Sequence, residues 1–512
     1  MADAPAPPQN LTATTASGLR WTYAAALGSS VMQLVYTSAT SRLLDPTAFG
    51  LMAIAQLVVR FSVYFAQMGV MQALIQKPEL SREDIRAGWT TSVAFGAIVT
   101  GAVWISAPWA AGLFGKPAVA PVLQGVGLTF ILTSFGNTSL ALLRRELRFR
   151  ELGIIQVTAF FIGYLVVGVG MALTGYGVWS LVGATLSANI VGSALRYGAH
   201  RHPLMPLARW APYRDLLQFG SRVSLINFGE FWGVNLDTFT VGRYEIASLV
   251  GQYNRAFYLV NLPLTYITQS MSNVLLPGFA RLQHDRQRIA RVHVQVIAII
   301  AALMLPICAG MAIASEELVG VVLGRQWDEA VALVPILAFA AAWNILTRFA
   351  GIICEAIAEL NSKLVLQAGH LIVLGALMAL AAGRQLWMYA AALAVGEIVR
   401  HVMYMILLRR VLGLSVAAQL RAYVPALVAT ACVAVAMWPA RLGLVAMNVP
   451  LVIRLVVLVF LGGAALLTGL RTPPLRQVRR ELLQRLGMTG WLSKSAWVRR
   501  LVSLLLPEVR SP

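Results

Sequence analysis

The sequence predicts an all-α polytopic membrane protein: about fourteen transmembrane helices in two six-helix lobes, two appended helices and an amphipathic cytoplasmic tail. Three observations predict it. Of 512 residues, 58% are hydrophobic and only 12% charged, with mean hydropathy +0.72, a composition foreign to soluble domains. Apolar stretches long enough to span a bilayer recur along the whole chain. The basic residues fall almost entirely into alternate loops.

The spans are expected at 20–41, 50–76, 87–111, 118–142, 152–173, 177–199, 215–241, 248–276, 291–314, 329–358, 363–383, 385–408, 419–440 and 448–470. The link between the tenth and eleventh, around Leu360 to Ser362, is short enough that thirteen spans is the competing count. Residues 1–19 precede them as an Ala-, Pro- and Thr-rich arm, expected to be disordered; it holds no apolar core of the kind a signal peptide needs. Spans one to six make an N-lobe (20–199), spans seven to twelve a C-lobe (215–408), and spans thirteen and fourteen (419–470) are appended. The tail (471–512) places Leu475, Val478, Leu482, Leu483 and Leu486 at helical spacing opposite Arg476, Arg479, Arg480 and Arg485. That pattern suits either an interfacial helix on an anionic leaflet or a solvated tail.

The net charge of +20 has a topological origin. With the N-terminus inside, 29 Lys and Arg lie on one side, 6 on the other and 6 within spans. The positive-inside rule then puts both termini in the cytoplasm and removes the reason to invoke nucleic acid. Cys308, Cys354 and Cys432 all fall inside spans, where they act as small apolar residues rather than a disulfide or zinc framework. No G-x-x-x-x-G-K-[ST] loop, G-x-S-x-G elbow or H-E-x-x-H helix occurs, and all connections between spans are short. An enzyme with a large extramembrane catalytic domain is therefore not expected, and neither a metal nor an organic cofactor is.

The chain carries an internal repeat. Span one opens with Gly18-Leu19-Arg20 and leaves through Arg42 to Gly50; span seven opens with Gly220-Ser221-Arg222 and leaves through Arg243 to Gly251. The offset is 201 to 202 residues, and the two copies share an orientation. A parallel repeat about an axis along the membrane normal is a transporter signature.

Ionisable groups within spans are the candidates for function, because one at the bilayer centre costs ~2.5–3.5 kcal/mol on the insertion scale. In span two, Gln56, Arg60 and Gln67 share a helical face with Tyr64 beside them; span one matches them with Gln33, Tyr36, Thr37 and Thr40. Arg222 opens span seven. Span eight carries Arg255, Tyr258, Tyr266 and Gln269, and span ten carries Asn344, Arg348 and Glu355 on one face. Guanidinium groups present a donor fork that fits phosphate oxygens, so Arg60, Arg222, Arg255 and Arg348, with Gln56, Gln67 and Tyr258, are the expected substrate-binding set. Arg348 paired to Glu355 is the structural alternative for that residue. Arg400, with Glu397 and His401 at helical spacing, reads as a helix pin, and Arg454 as a snorkelling side chain. Glu230 and Asp237, seven apart on span seven, either bind H⁺ or Na⁺ to couple a gradient or close a salt bridge onto an arginine such as Arg60.

The opening G-x-R span, the turn Arg42 to Leu51, the Leu143 to Phe149 loop and the stretch Val241 to Ala256 resemble the Wzx-type polysaccharide flippases of the multidrug/oligosaccharidyl-lipid/polysaccharide exporter superfamily. The resemblance covers about residues 15–470. It implies fourteen helices in two lobes around a cationic central cavity, and alternating access. The implied cargo is an undecaprenyl-pyrophosphate-linked oligosaccharide repeat unit, moved from the cytoplasmic to the periplasmic leaflet of a bacterial inner membrane. A polysaccharide polymerase and a chain-length regulator are the implied protein partners. Three rivals share the arithmetic: a cation-coupled drug exporter, a lipid II flippase, and a membrane polymerase or ligase acting on the same lipid intermediate. Six arginines against four acids within spans favour an anionic cargo over a cationic drug.

Overall fold

Helix after helix fills the computed structural model, which describes residues 11–469 except 67–70, 72, 73, 76, 78, 79, 207–230, 281, 283 and 284. No strand occurs among the described residues. In chain order the elements are α1 (Leu11–Leu43), α2 (Pro46–Ala66), α3 (Arg82–Leu113), α4 (Val119–Gly127), α5 (Thr129–Arg145), α6 (Phe149–Phe160), a π-helical stretch (Phe161–Gly168), α7 (Val169–Leu173), α8 (Val178–Ala199) and α9 (231–244). There follow α10 (Ala247–Ala280), α11 (Arg286–Ile313), α12 (Ser315–Val322), α13 (Asp328–Ala356), α14 (Leu360–Ala381), α15 (Leu386–Leu412), α16 (Val416–Arg421), α17 (Val424–Ala446) and α18 (Leu451–Gly469). Among the described residues, 11 helices are long and apolar enough to cross a membrane. The expected spans at 20–41, 215–241 and 248–276 are not in that set: α1 and α10 are more polar, and much of the third lies outside the described residues. The protein is multi-pass; fourteen crossings remain a proposal.

The chain divides into two compact units, one of residues 1–254 with 322–326, the other of 255–321 with 327–512. In the first unit α1 packs on α6, α3 on α5, α5 on α8, and α2 on α4. Small residues set the closest approach. A Cβ at Gly163 would come within 2.5 Å of Ala188 backbone atoms, and one at Gly168 within 2.7 Å of the Ala184 Cβ. Small-on-small packing of this kind lets helices associate where lipid supplies no hydrophobic drive. The π-helical stretch spans both glycines. Helix α3 starts on a capping box: Ser81 Oγ accepts from Asp84 N at 3.1 Å, and Asp84 Oδ2 accepts from Ser81 N at 3.0 Å.

The loop after α5 is knotted by Arg148. Its guanidinium donates to both oxygens of Glu151 at 2.7 and 2.6 Å, to Glu146 at 3.2 Å and to the Ala199 carbonyl at 3.2 Å. The Glu151 bonds, opposed by burial, raise the Arg148 pKa above its ordinary value. Leu147 before it takes a positive φ of 56°. Arg145 donates to the carbonyls of Leu74 and Ile75 at 3.3 Å, and Arg86 to those of Met205 and Pro206 at 3.2 and 2.8 Å. These bonds satisfy carbonyls that the helix and loop ends leave open.

In the second unit α11 packs against α13 and α17, α13 against α15, α14 against α15, and α17 against α18. Ile313 and Ala314 pack with Val433 and Met437 of α17 and Leu458 and Ala465 of α18.

Two expectations need correction, and a third, the span-one stripe, is resolved as facing protein. The arm read as disordered through residue 19 is helical from Leu11, because Pro7 and Pro8 are its last prolines and an Ala- and Thr-rich run follows. Tyr36, Thr37 and Thr40, expected on a polar stripe with Gln33, are buried. Tyr36 sits edge-on to Tyr164 at 5.0 Å, and Thr40 Oγ1 donates to the Tyr36 carbonyl at 2.7 Å, so the Thr40 hydroxyl is satisfied on its own helix. The tight link between spans ten and eleven lies at Ile357 to Glu359, where Ala358 takes φ 60° and separates α13 from α14 as two helices. The tail at 471–512 lies outside the described residues.

Candidate functional site

Helix α2 turns one face inward and leaves another open. Met52, Ala53, Ile54, Ala55 and Leu57 are buried, while Gln56 is half-buried and Arg60, one turn on, is exposed. Phe61 beside it meets Phe231 edge-on at 5.5 Å. So Gln56 and Arg60 do share a face. Gln67, Arg222 and Glu230 lie outside the described residues.

In the second unit the Arg255 guanidinium lies over the Tyr258 ring at 5.0 Å, both residues half-buried on α10. A cation over an aromatic face is held in place while its donors remain usable. Arg348 is exposed on α13. Its expected mate Glu355 instead takes Lys363 Nζ at 2.7 Å. The reversal at Ala358 returns Lys363 beside Glu355, whereas Arg348 lies seven residues back, ~10 Å along the helix. Asn344, from the same expected face, donates to Glu397 Oε1 at 3.0 Å.

Asp237 is 2% exposed on α9. Tyr253 donates its hydroxyl to Oδ2 at 2.9 Å, and Thr238 Oγ1 lies 3.4 Å from Oδ1. Its partners among the described residues are neutral, so the salt-bridge alternative has no counterpart there.

The helix pin on α15 is present. Glu397 pairs with Arg400 at 2.5 Å, with the two side chains 2% and 12% exposed. His401 sits between Thr347 Oγ1 at 3.1 Å and the Tyr423 hydroxyl at 2.7 Å, flanked by the Trp343 ring at 5.0 Å. The cluster ties α13, α15 and the start of α17 together.

The sequence reading missed one charged cluster. Glu317 is fully buried and receives Arg441 Nε on both oxygens, at 3.1 and 3.0 Å, and Arg454 Nη1 at 3.4 Å; Glu316 takes Arg441 Nη2 at 2.6 Å. Arg454 therefore pairs with an acid rather than snorkelling. The available signal was the Glu316-Glu317 doublet directly after an apolar helix, with Arg441 just after span thirteen and Arg454 within span fourteen. No group of three or more metal-ligating side chains occurs among the described residues.

Comparison with known proteins follows from this geometry. The family described as "Polysaccharide biosynthesis protein" matches residues 40–332. The chain is 24% identical to the lipopolysaccharide biosynthesis protein WzxC of Escherichia coli (strain K12), over 63% of this chain and 65% of that one. It is 26% identical to the succinoglycan biosynthesis transport protein ExoT of Rhizobium meliloti (strain 1021), over 64% and 66%. It is 22% identical to the teichuronic acid biosynthesis protein TuaB of Bacillus subtilis (strain 168), over 66% and 70%. The match thus spans 65% and 66% of the length of the first two relatives. Among solved structures, the lipid II flippase MurJ in an inward closed conformation shares the fold at TM-score 0.70 and 10% identity, over 88% of this chain and 97% of that one. An inward-facing multidrug resistance MATE family transporter of the MOP superfamily follows at TM-score 0.57 and 14% identity, over 75% and 94%.

Proposed function

We propose that this chain, which belongs to the polysaccharide biosynthesis protein family, is a transporter that flips an undecaprenyl-pyrophosphate-linked oligosaccharide repeat unit from the cytoplasmic to the periplasmic leaflet. The observation that carries the reading is the exposure of Arg348 on a long, otherwise apolar helix. Against lipid it would cost ~2.5–3.5 kcal/mol, so exposure there calls for water or an anionic cargo. A pyrophosphate is matched by the guanidinium fork. The proposed cargo ligands are Arg60 with Gln56 in the first unit and, in the second, Arg348 and Arg255 on its Tyr258 platform; Arg222 and Gln67 belong to the same proposal. The relatives named for lipopolysaccharide, succinoglycan and teichuronic acid biosynthesis support the cargo class. Release of cargo to a polymerase and a chain-length regulator belongs to the same proposal, as does location in the bacterial inner membrane.

No covalent chemistry is required. A conformational equilibrium biased by differential cargo binding suffices, and the reading is of a transporter rather than an enzyme. Coupling to H⁺ or Na⁺ at Asp237 and Glu230 is part of the proposal. A carboxylate buried among neutral partners, as Asp237 is, needs a proton or a cation to balance its charge.

Sealed vesicles holding the purified protein should move labelled lipid-linked oligosaccharide between leaflets without forming new glycosidic bonds. New bonds would make the protein an enzyme; absence of movement, with cargo correctly presented, would remove the flippase reading.

Orientation is tested separately. Thr47→Cys and Arg384→Cys, both at exposed positions, should react with an impermeant thiol reagent added to intact cells. Arg150→Cys in the first turn of α6 should not, and its labelling would invert the topology. Deleting residues 475–512 leaves α1 to α18 complete and should give an inserted protein with at most partial loss of export. Complete loss at normal protein levels would assign the tail a direct role.

A further inference from the structure

The two copies of the repeat meet. A Cβ at Gly50 would overlap the Ala247 carbonyl oxygen, and one at Gly251 would overlap the Pro46 carbonyl oxygen. Each would also stand 3.1 Å from the other glycine's amide nitrogen. Ala247 is Pro46 displaced by the repeat offset, and Gly251 is Gly50 displaced by the same step. These are therefore one contact seen from each copy, a local two-fold between the first turns of α2 and α10.

The same operation maps two further contacts. Ser41 and Gly242 are repeat equivalents. Gln326 Nε2 donates to the Ser41 carbonyl, and also to that of Leu44 at 2.9 Å. Lys116 Nζ donates to the Gly242 carbonyl at 2.6 Å, and also to that of Phe114 at 3.0 Å. Arg42 and Arg243 are equivalents too. Arg42 Cγ lies 3.3 Å from where a Cβ on Gly324 would be, and Arg243 Nη1 lies 4.0 Å from the corresponding point on Gly115. Both glycines have positive φ, 110° and 63°, and each shapes the short loop that aims the donor beyond it. Gln252 on α10 closes the set by donating to the Gln326 carbonyl at 2.9 Å.

We propose that this crossing is the periplasmic gate of the transport cycle in its shut form, with Gln326 and Lys116 as paired latches. The proposal rests on the transporter reading and on the positive-inside orientation. The chemistry suits a contact that opens and re-forms. Glycine faces glycine, so no side chain interlocks and the helices part without unthreading. The carbonyls of Ser41 and Gly242 belong to the last turns of α1 and α9, where the helix supplies no partner. A side-chain donor can leave such a carbonyl and water can replace it. Burial, with Arg243 adding to it and Glu245 opposing, lowers the Lys116 pKa from its ordinary value. The ammonium therefore gains from hydration when the latch lets go.

The test reads accessibility rather than transport. Thr37 is 2% exposed and lies about one turn below Ser41 on α1. In a chain with Cys308, Cys354 and Cys432 replaced by alanine, Thr37→Cys should react slowly with an impermeant maleimide added from the periplasmic side. Gly50→Ala and Gly251→Ala should each raise that rate by roughly tenfold or more, because the shut contact cannot form around a Cβ. Gln326→Ala and Lys116→Ala should raise it by about three- to tenfold, the shift expected from losing ordinary hydrogen bonds. Lys116→Gln, which borrows the other copy's donor, should leave it unchanged. If the glycine variants fail to accumulate, the latch variants decide, since they add no clash. Labelling as slow as the parent's in well-expressed Gln326→Ala and Lys116→Ala would make the crossing a static scaffold and overturn the proposal. No lipid-linked glycan is used, so an error in the assigned cargo leaves this result untouched.

Discussion

Replacing Arg60 or Arg255 by alanine is expected to abolish transport of lipid-linked glycan while folded protein persists. A charge-assisted hydrogen bond contributes ~1.5–3 kcal/mol, so losing one should weaken cargo binding by roughly ten- to a hundredfold. Lysine should rescue in part, since it keeps the charge and loses the fork. At position 255 it also weakens the stacking on Tyr258, whose ring lies 5.0 Å from the guanidinium carbon. Binding of labelled cargo by purified protein is the deciding measurement. Arg60→Ala protein that binds as tightly as the parent would remove that residue from the binding set. A merely structural arginine would give another pattern, less folded protein with normal affinity in what remains.

The second large effect is on stability. Glu317→Ala should sharply reduce the amount of folded protein and its thermal stability in detergent. The carboxylate is fully buried, and its loss strands Arg454, 12% exposed, and leaves Arg441, 20% exposed, with only the half-exposed Glu316 as its acid. Removing one partner from a buried ion pair typically costs ~3–5 kcal/mol, because the remaining charge has lost its counter-ion. Glu317→Gln keeps acceptor capacity on one oxygen and should fall between. Replacing Glu317, Arg441 and Arg454 together by leucine should recover much of the loss, since an apolar set of similar volume leaves no stranded charge. A Glu317→Ala protein with parental melting behaviour would show that the cluster contributes nothing to holding α12, α17 and α18 together.

These two effects differ in how they could be foreseen. Arg60 was visible because a charge within a long apolar run is anomalous by itself. The pairing of Glu317 with Arg441 and Arg454 joins residues 124 and 137 positions apart, and no local pattern specifies it. Glu355 illustrates the same limit at short range. Helical spacing offered Arg348, but a single left-handed residue, Ala358, turned the chain and delivered Lys363 instead. Backbone reversal outweighs periodicity wherever a helix ends within a few residues of the candidate pair.

Span one shows what a polar stripe leaves open. Its polar residues were read as a stripe matching that of span two, and the structure turns them into protein: Tyr36 packs on Tyr164 and Thr40 bonds back to the Tyr36 carbonyl. Hydroxyl groups can satisfy themselves on the helix that carries them, so they report water less reliably than a guanidinium does. Arg60, which has five donors on a long stem, is exposed on α2.

By itself the sequence determined the class of molecule, most of the helix positions and the existence of a repeat. Those depend on apolar run length, on the spacing of charges, and on self-similarity, all of which are local or one-dimensional. Only the tertiary structure decided who pairs with whom. It showed that Gly50 and Gly251 are glycines because each receives the other copy's carbonyl-bearing turn, and that Gln326 reaches back 285 residues to the end of α1. A repeat offset states that two segments are alike; it does not say that they touch. Contact depends on how the helices between them fold back, and that is set by packing summed over the whole unit.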